Sequence, residues 1–190
     1  EHEEEDVDYS QLSKQELVDT IKALAKDDNV IKSDRVAREI KPYFDEIRDK
    51  ERREALQRFI ADGGEEKDFD FKFDELANRF DANFKLIHDR KVQYIKDREN
   101  QKENNLKKKE DILERLRVFV DSDDPNISFN DFKEFQNEWK AIGPVPPAYA
   151  RTLWANYNAL VDRFYDHRNI YFELKELDRK KNLKLKLELC

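Results

Sequence analysis

One stretch of the chain repeats another, and this repeat limits the possible folds more than any other feature of the sequence. Residues 76–109 align without a gap with residues 153–186, at an offset of 77 positions. Among the matched pairs are Leu76 with Leu153, Phe80 with Tyr157, Ala82 with Ala159, Ile87 with Phe164, Tyr94 with Tyr171, and Asn105-Leu106-Lys107 with Asn182-Leu183-Lys184. The matched apolar residues recur every three or four positions, which is the period of an α-helix. Repeated helical units are typical of solenoids and arrays, in which each unit packs against its neighbours.

A second match extends each copy into a larger unit. Residues 17–47 align with residues 112–142 at an offset of 95. The two offsets differ because the first copy carries an insertion at residues 48–75. We therefore predict an all-α fold, an elongated array of two helical-bundle repeat units joined by a long solvent-bridging helix.

The expected domain limits follow from these alignments and from the placement of charge. Residues 1–9 hold six acidic residues and are expected to form a disordered leader, because like charges repel one another. Residues 10–106 are expected to form a divergent first helical repeat. Residues 107–190 are expected to form a second repeat, truncated at the start of a third. The chain is therefore interpreted as a fragment of a longer repeat protein.

The connection between the two units is predicted to be one helix that crosses solvent. Residues 96–109 contain almost no apolar side chain, but they contain no glycine or proline either. A helix that is polar on all sides between two apolar ends typically bridges through water.

Residues 183–189, with the sequence Leu-Lys-Leu-Lys-Leu-Glu-Leu, allow two interpretations. Strict alternation of apolar and charged residues is typical of a β-strand. Their counterparts in the repeat, residues 106–112, do not alternate and continue a helical pattern. We therefore predict that residues 183–189 are helical.

Capping residues and helix breakers predict where the first helices begin and how they continue. Ser13 and Ser33 are the expected N-caps of two helices, since a serine side chain can accept a hydrogen bond from an unpaired backbone amide. Pro42 lies inside the second helical pattern and should kink or split that helix.

The segment 138–154 combines two tryptophans, three prolines and a glycine. Gly143 before a proline predicts a helix end with a left-handed glycine, and Pro146-Pro147 can begin the next helix. Trp139 and Trp154 are then expected to cover the end of an antiparallel helical hairpin, because aromatic stripes usually belong to a core. The alternative is that the proline link forms an exposed polyproline ridge for a partner.

The same segment resembles a bacterial repeat family catalogued as domain of unknown function 349. The family pattern is Trp-Lys-x-Ile-Gly-Pro-Val-Pro, then Leu-Trp and an aromatic residue one turn later. Here these positions are Trp139, Lys140, Ile142, Gly143, Pro144, Val145, Pro146, Leu153, Trp154 and Tyr157. The resemblance covers residues 107–180, while the first unit has Phe44 and Ala77 where the tryptophans would stand. It implies tandem all-helical arrays in cytoplasmic bacterial proteins, with no known activity and no catalytic residues to assign.

No catalytic, metal or cofactor site is expected from the sequence. None of the three histidines, His2, His88 and His167, has a second histidine three or four positions away, and the single cysteine is remote from them. A zinc or iron site needs three or four converging ligands. Gly63-Gly64 is followed by two glutamates, which would repel a phosphate. We therefore predict that the protein is not an enzyme.

Basic residues recur at equivalent places in the two predicted long helices. The candidate nucleic-acid contacts are Lys107, Lys108, Lys109, Arg179, Lys180, Lys181, Lys184 and Lys186. Such a ladder can bind backbone phosphates in a salt-dependent way. Acidic residues are interleaved with it, however, and the chain after Asp8 carries a net charge of about −1, whereas nucleic-acid binders usually carry a basic excess.

The favoured function is a non-catalytic helical scaffold that mediates protein–protein interaction in a bacterial cytoplasm. The alternative is an RNA- or DNA-binding accessory protein that uses the basic ladder. The candidate interaction residues are Trp139, Lys140, Gly143, Pro144, Pro146, Trp154 and Tyr157. No apolar run approaches the roughly 20 residues of a membrane span, so no membrane partner is expected, and no small-molecule substrate is evident.

Overall fold

The computed structural model describes residues 7–122 and 128–189, and these residues form α-helices and two short 3₁₀-helices. The α-helices are α1 (Lys14–Leu24), α2 (Val30–Ala61), α3 (Glu75–Val120), α4 (Phe129–Ala141) and α5 (Pro147–Glu188), and the 3₁₀-helices are Tyr9–Gln11 and Glu66–Asp68. The described residues contain no strand, so the all-α prediction is confirmed. Most of the predicted acidic leader, residues 1–6, lies outside the described residues.

The repeated stretches are both helical along their whole length. Residues 76–109 lie within α3 and residues 153–186 lie within α5. The alternating sequence from Leu183 to Glu188 continues α5, so the helical interpretation is confirmed and the strand interpretation is wrong. Alternation over so few residues is also compatible with a helix that is exposed on all sides. The comparison with the repeat therefore predicted the secondary structure better than the alternation did.

Contacts divide the chain into two compact units, one that ends at Lys96 and one that begins at Asp97. The division falls within α3, and each unit has its own apolar core. The buried core of the first unit comprises Leu17, Val18, Ile21, Ala25, Val36, Ala37, Ile40, Phe44, Ala77, Phe80 and Ile87. The buried core of the second comprises Ile112, Leu113, Leu116, Val120, Phe132, Trp139, Val145, Leu153, Tyr157, Leu160 and Phe164. In both units these residues follow the helical period, so each helix turns one stripe inward.

The predicted beginnings of the first two helices are half right. Ser13 is the N-cap of α1, and its side chain accepts a hydrogen bond from the Glu16 amide. Ser33 is not a cap, because α2 begins at Val30 and its N-cap is Asn29, which accepts from the Lys32 amide. Asparagine is as good an N-cap as serine, and the earlier start leaves Ser33 buried within the first turns.

Pro42 does not split α2, which is helical from Val30 to Ala61. A proline removes one backbone hydrogen bond from the helix interior. Here Ile40 and Phe44, on either side of it, are fully buried in the core of the first unit. Their packing holds the helix together across the missing bond.

The true left-handed glycine of the structure is at the end of α2. Gly63 has a φ of 96° and donates to the Ile60 carbonyl, and Gly64 donates to the Phe59 carbonyl. These two bonds satisfy carbonyl groups that the end of the helix leaves unpaired, in the arrangement known as the Schellman motif.

Lys14 ties together the three helices of the first unit. Its ammonium lies 2.7 Å from a carboxylate oxygen of Glu51 in α2 and 2.7 Å from one of Asp74, just before α3. The Asp74 carboxylate also accepts the Ala77 amide in the first turn of α3. The hydrogen bond from Lys14, and then that from the Ala77 amide, lower the pKa of Asp74. The carboxylate therefore caps α3 and pairs with α1 in its charged form.

Candidate interaction site around Trp139

Trp139 is the centre of the second unit. Its indole is only 4% exposed and stacks on the Tyr157 ring of α5, with 4.3 Å between the ring centroids and 5° between the ring planes. It reaches this position because Phe132, Phe135 and Trp139 recur at helical spacing on one face of α4. Ser128 begins that helix, since its side chain accepts hydrogen bonds from the amides of Asn130 and Asp131.

Lys109 of α3 supplies a cation to the same indole. Its ammonium nitrogen lies 4.6 Å from the centroid of the Trp139 ring, within the range of a cation–π interaction. Burial lowers the pKa of Lys109, because the charged form loses water around it. The attraction of the ring offsets part of that cost, so Lys109 serves the packing of the unit.

Asn105 of α3 holds the turn that follows α4. Its side chain is buried, and its Nδ2 atom donates a hydrogen bond of 2.8 Å to the Pro144 carbonyl. Asn105 lies in the polar stretch that was predicted to bridge through solvent. That prediction is wrong from Asn105 onward, where Leu106 also packs against the apolar core. The preceding residues 96–104 are exposed except for Lys102, which is half-buried.

Gly143 lies close to the side chain of Asn105. A Cβ atom on Gly143 would lie 3.2 Å from the Nδ2 atom of Asn105, which is tighter than ordinary contact. The predicted left-handed conformation is wrong, since Gly63 is the residue with positive φ among those described. Glycine lets the turn come near enough to α3 for Asn105 to reach the next carbonyl.

The proline link begins α5 as predicted. Pro146 is the N-cap and Pro147 the first residue of the helix, a position where a missing amide costs nothing. Val145 is buried, Pro146 is half-buried, and the Pro144 carbonyl is bonded to Asn105. The link is therefore anchored to the second unit by its backbone and by Val145.

The expectation that Trp154 covers the end of the hairpin is wrong, because its side chain is 58% exposed. Leu153 and Tyr157, four positions apart, occupy the inward face of α5. Trp154 is about 100° away from Leu153 around the helix and meets only the edge of this core. Its ring centroid lies 6.0 Å from that of Tyr157. Lys140 and Pro144 are also exposed, and Lys140 lies in the last turn of α4.

The first unit contains an equivalent pair of stacked aromatic rings. Phe44 and Phe80 lie 3.9 Å apart between centroids, with 3° between their planes. The offset of 95 aligns Phe44 with Trp139, and the offset of 77 aligns Phe80 with Tyr157. The divergent first unit thus keeps the parallel ring pair while it replaces the indole by a phenyl ring.

The basic residues of the predicted ladder have different surroundings. Lys107 and Lys108 are exposed on α3, whereas Lys109 is half-buried against Trp139. The basic residues exposed on α5 are Arg179, Lys180, Lys181, Lys184 and Lys186. Lys109 is thus set apart from the ladder by its role in the core.

The C-terminal half of α5 carries a row of exposed apolar side chains. Every residue from 169 to 189 is exposed, including Ile170, Leu174 and Leu177. The last hydrogen bond and the last cation–π contact of α5 with other helices in the described structure come from the preceding turn. There His167 Nδ1 lies 3.2 Å from the Val120 carbonyl, and Arg168 lies over the Phe129 ring.

No group of three His, Cys, Asp or Glu side chains among the described residues is placed to hold a metal ion. Within the same residues, no helix is both long and apolar enough to cross a membrane. An open groove of about 260 Å³ runs between α3 and α5, beside Leu113, Arg117 and Tyr149.

Sequence reasoning missed Asn105, because a polar residue in a polar stretch gives no local sign of burial. The available signal was the repeat itself, in which Asn105-Leu106-Lys107 recurs as residues 182–184. An asparagine kept at the same place in two helices indicates a specific partner for its amide.

Comparison with known proteins identifies a family. The model of the family described as Domain of Unknown Function (DUF349) matches residues 75–148 and 152–190, more than half of the chain. The resemblance predicted for residues 107–180 is confirmed, and the match begins further upstream. The two matches start at residues 75 and 152. The difference of 77 positions between these starts equals the offset of the internal repeat. No curated protein and no solved structure shows a significant match to the chain.

Loss of the Asn105 amide should loosen the α4–α5 turn. We expect Asn105→Ala to lower the free energy of unfolding by about 1–2 kcal/mol, because the Pro144 carbonyl loses its hydrogen bond from the buried Asn105 amide. Asn104→Ala removes the same amide from an exposed neighbour and should be close to neutral. Urea unfolding followed by tryptophan fluorescence measures both variants. Equal stability of the two would contradict the assigned role of Asn105.

The two tryptophans should differ sharply when they are truncated. We expect Trp139→Ala to cost about 3–5 kcal/mol, since it empties the centre of a packed core. Trp154→Ala should cost less than about 0.5 kcal/mol, as is usual for an exposed side chain. Trp139→Phe should retain most of the stability, because Phe44 fills the equivalent place in the first unit. Thermal unfolding by circular dichroism decides, and similar losses at Trp139 and Trp154 would refute the assignment.

Proposed function

The chain belongs to the DUF349 family, and from this premise we propose that it is a non-catalytic helical scaffold that binds other proteins. The observation that carries the proposal is the exposed apolar stripe on α5. This stripe consists of Ile170, Leu174 and Leu177, with exposures of 54%, 57% and 60%.

The spacing of the stripe suits a partner of defined shape. Its members are four and three positions apart, so they lie on one face of α5. Burying a leucine or isoleucine side chain fully contributes about 1.5–3 kcal/mol. A stripe of this spacing is the surface that an amphipathic helix uses in a two-helix seam. We therefore assign an amphipathic helix of another protein as the partner.

Comparison with α3 supports a binding role for this stripe. The repeat offset of 77 aligns Gln93, Asp97 and Asn100 of α3 in sequence with Ile170, Leu174 and Leu177 of α5. The helix of the first match is therefore polar where α5 is apolar. The fold of the unit does not require apolar residues at these positions, so their presence in α5 points to a contact outside the unit.

The flanks of the stripe carry both signs of charge. Glu173 and Glu176 lie beside Lys175, and Asp178 follows Leu177. Mixed charges on either side of an apolar seam set the choice and direction of a partner helix. They also keep the exposed helix soluble when the seam is empty.

A second candidate function, nucleic-acid binding, is favoured by the remaining basic residues of α5. No ion pair of Arg179, Lys180, Lys181, Lys184 or Lys186 exists among the described residues. Such cations can release counterions from a phosphate backbone. Interleaved Glu176, Asp178 and Glu188 weaken the local positive potential, so we rank this function second.

Polar substitution of the stripe should abolish protein binding. A photo-crosslinking amino acid at Ile170 of the full-length protein should form discrete protein adducts in cells. The double variant Leu174→Gln, Leu177→Gln should reduce these adducts at least about tenfold, because about 1.4 kcal/mol of lost apolar contact changes an affinity tenfold. Val118→Gln is the matched control, since Val118 is an exposed apolar residue of α3. Absence of adducts, or adducts insensitive to the double variant, would count against the scaffold.

The second candidate has its own outcome in a gel-shift titration. If α5 binds nucleic acid, Lys180→Ala, Lys181→Ala should weaken binding to single- or double-stranded probes, and added salt should weaken it further. Lys22→Ala, Lys26→Ala is the control, since it removes the same charge from two exposed lysines outside the predicted ladder. Absence of any shift at low salt removes this function.

A further inference from the structure

We infer that the end of α5 is a receptor for a helical hairpin that carries the sequence Trp-Lys-x-Ile-Gly-Pro-Val, in a further unit of the same family. Asn182 and Lys186 recognise the turn carbonyl and the indole of this hairpin. The inference rests on the proposed function, because the occupant is a protein, but it concerns a different face of the helix from the apolar stripe.

Within the second unit, α3 shows what such a receptor requires. Asn105 donates to the Pro144 carbonyl, and Lys109 lies 4.6 Å from the Trp139 ring. Leu106 and Ile112 belong to the apolar core that covers α4. The receptor on α3 thus consists of an amide, a leucine, a cation and an aliphatic residue at positions i, i+1, i+4 and i+7.

The end of α5 presents the same set in the same order. Asn182, Leu183, Lys186 and Leu189 stand at the same four positions, 77 residues after those of α3. Three of the four are identical, and leucine replaces isoleucine at the fourth. Because the segment continues α5 as a helix, equal spacing places these side chains on one face, as in α3.

The four residues of this set on α5 are exposed to solvent in the structure. Among the described residues, none of their side chains makes a hydrogen bond, ion pair or ring contact. In α3 the equivalent asparagine is buried, and the equivalent leucine and lysine are half-buried. The difference between the two helices is the hairpin itself, which only α3 has bound.

The family matches show which segment accompanies such a receptor in the first match. The first match, residues 75–148, contains α3 followed by α4 and its turn. The second match, residues 152–190, contains only α5, the counterpart of α3. In the first match the receptor and its hairpin occur together, so the receptor of the second match is assigned a hairpin of the same kind.

The chemistry distinguishes this occupant from a generic amphipathic helix. A simple helix offers apolar side chains, but its carbonyl groups are already bonded within the helix. A Gly-Pro turn offers a carbonyl that an asparagine amide can reach, and an indole offers a face for an ammonium. The hairpin of a second copy is already held by its own Asn105 and Lys109, so a hairpin from a further unit is the better occupant.

The test extends the full chain by a copy of its own hairpin. Cys190 is the repeat counterpart of Leu113, so a copy of residues 114–167 joined after Cys190 continues the helical register. We expect the added segment to fold against α5. It should resist thermolysin, and its copy of Trp139 should be shielded from acrylamide quenching.

Variants then ask whether the assigned residues make the contact. In the extended chain, Asn182→Ala and Lys186→Ala should each raise the cleavage rate of the added segment about fivefold, as the loss of one buried polar contact predicts. The same variants should leave the unfolding of the unextended chain unchanged, because the four side chains are exposed there. Lys184→Ala is the matched control, since Lys184 lies on the opposite face of α5.

Two results would overturn the inference. One is an added segment that stays unfolded while the preceding units remain intact. The other is a folded segment whose stability is indifferent to Asn182→Ala and Lys186→Ala. Either result leaves the photo-crosslinking at Ile170 to decide the scaffold function separately, because no residue of the apolar stripe is changed. Conversely, loss of crosslinking with a sensitive extension would remove the scaffold function alone.

Discussion

The second unit depends on a buried indole that is held from two helices at once. α4 has 13 residues, and isolated helices of this length are marginal in water. Trp139 joins its last turn to Tyr157 of α5 and to Lys109 of α3. Asn105 then fixes the turn that sets where α5 begins. Most of the family motif therefore consists of packing residues, while Trp154 and Lys140 remain exposed.

The first unit shows which parts of this arrangement can change. Phe44 and Phe80 keep the parallel ring pair, so a stack at this place tolerates a smaller ring. The offset of 95 aligns Lys14 with Lys109, but Lys14 pairs with the carboxylates of Glu51 and Asp74. A lysine at this place thus serves either an indole or a carboxylate pair. Both units share the stacked ring pair, whereas the polar contacts of the aligned lysines differ between them.

The features that depend on helical periodicity could be predicted from the sequence. The features that depend on contacts between residues far apart in the chain could not. The helices of both repeats followed from apolar spacing, and the repeat resolved residues 183–189 against their own alternation. The burial of Asn105 and the exposure of Trp154 did not follow, because both depend on which side of a helix meets a neighbour. For Gly143 the residue type was informative but the reason was not. A glycine can adopt a left-handed turn conformation or can allow a neighbouring side chain to come close to the backbone. The backbone angles and the tertiary contacts distinguish these two roles.

The polar residues of the proposed receptor on α5 are compatible with its exposure to water. An unfilled apolar groove invites unspecific association, whereas exposed amide and ammonium groups remain hydrated. Around the axis of α5, Asn182 and Lys186 of the proposed receptor lie between Leu183 and Leu189. Two of the four receptor side chains can therefore be hydrated in the absence of a partner. The same polar groups impose selectivity, because a partner that buries them without a carbonyl and a ring would leave them unpaired at a cost of about 1–3 kcal/mol each. The apolar stripe of Ile170, Leu174 and Leu177 contains no polar groups of this kind, so in the proposed scaffold we expect the flanking charges to select the partner.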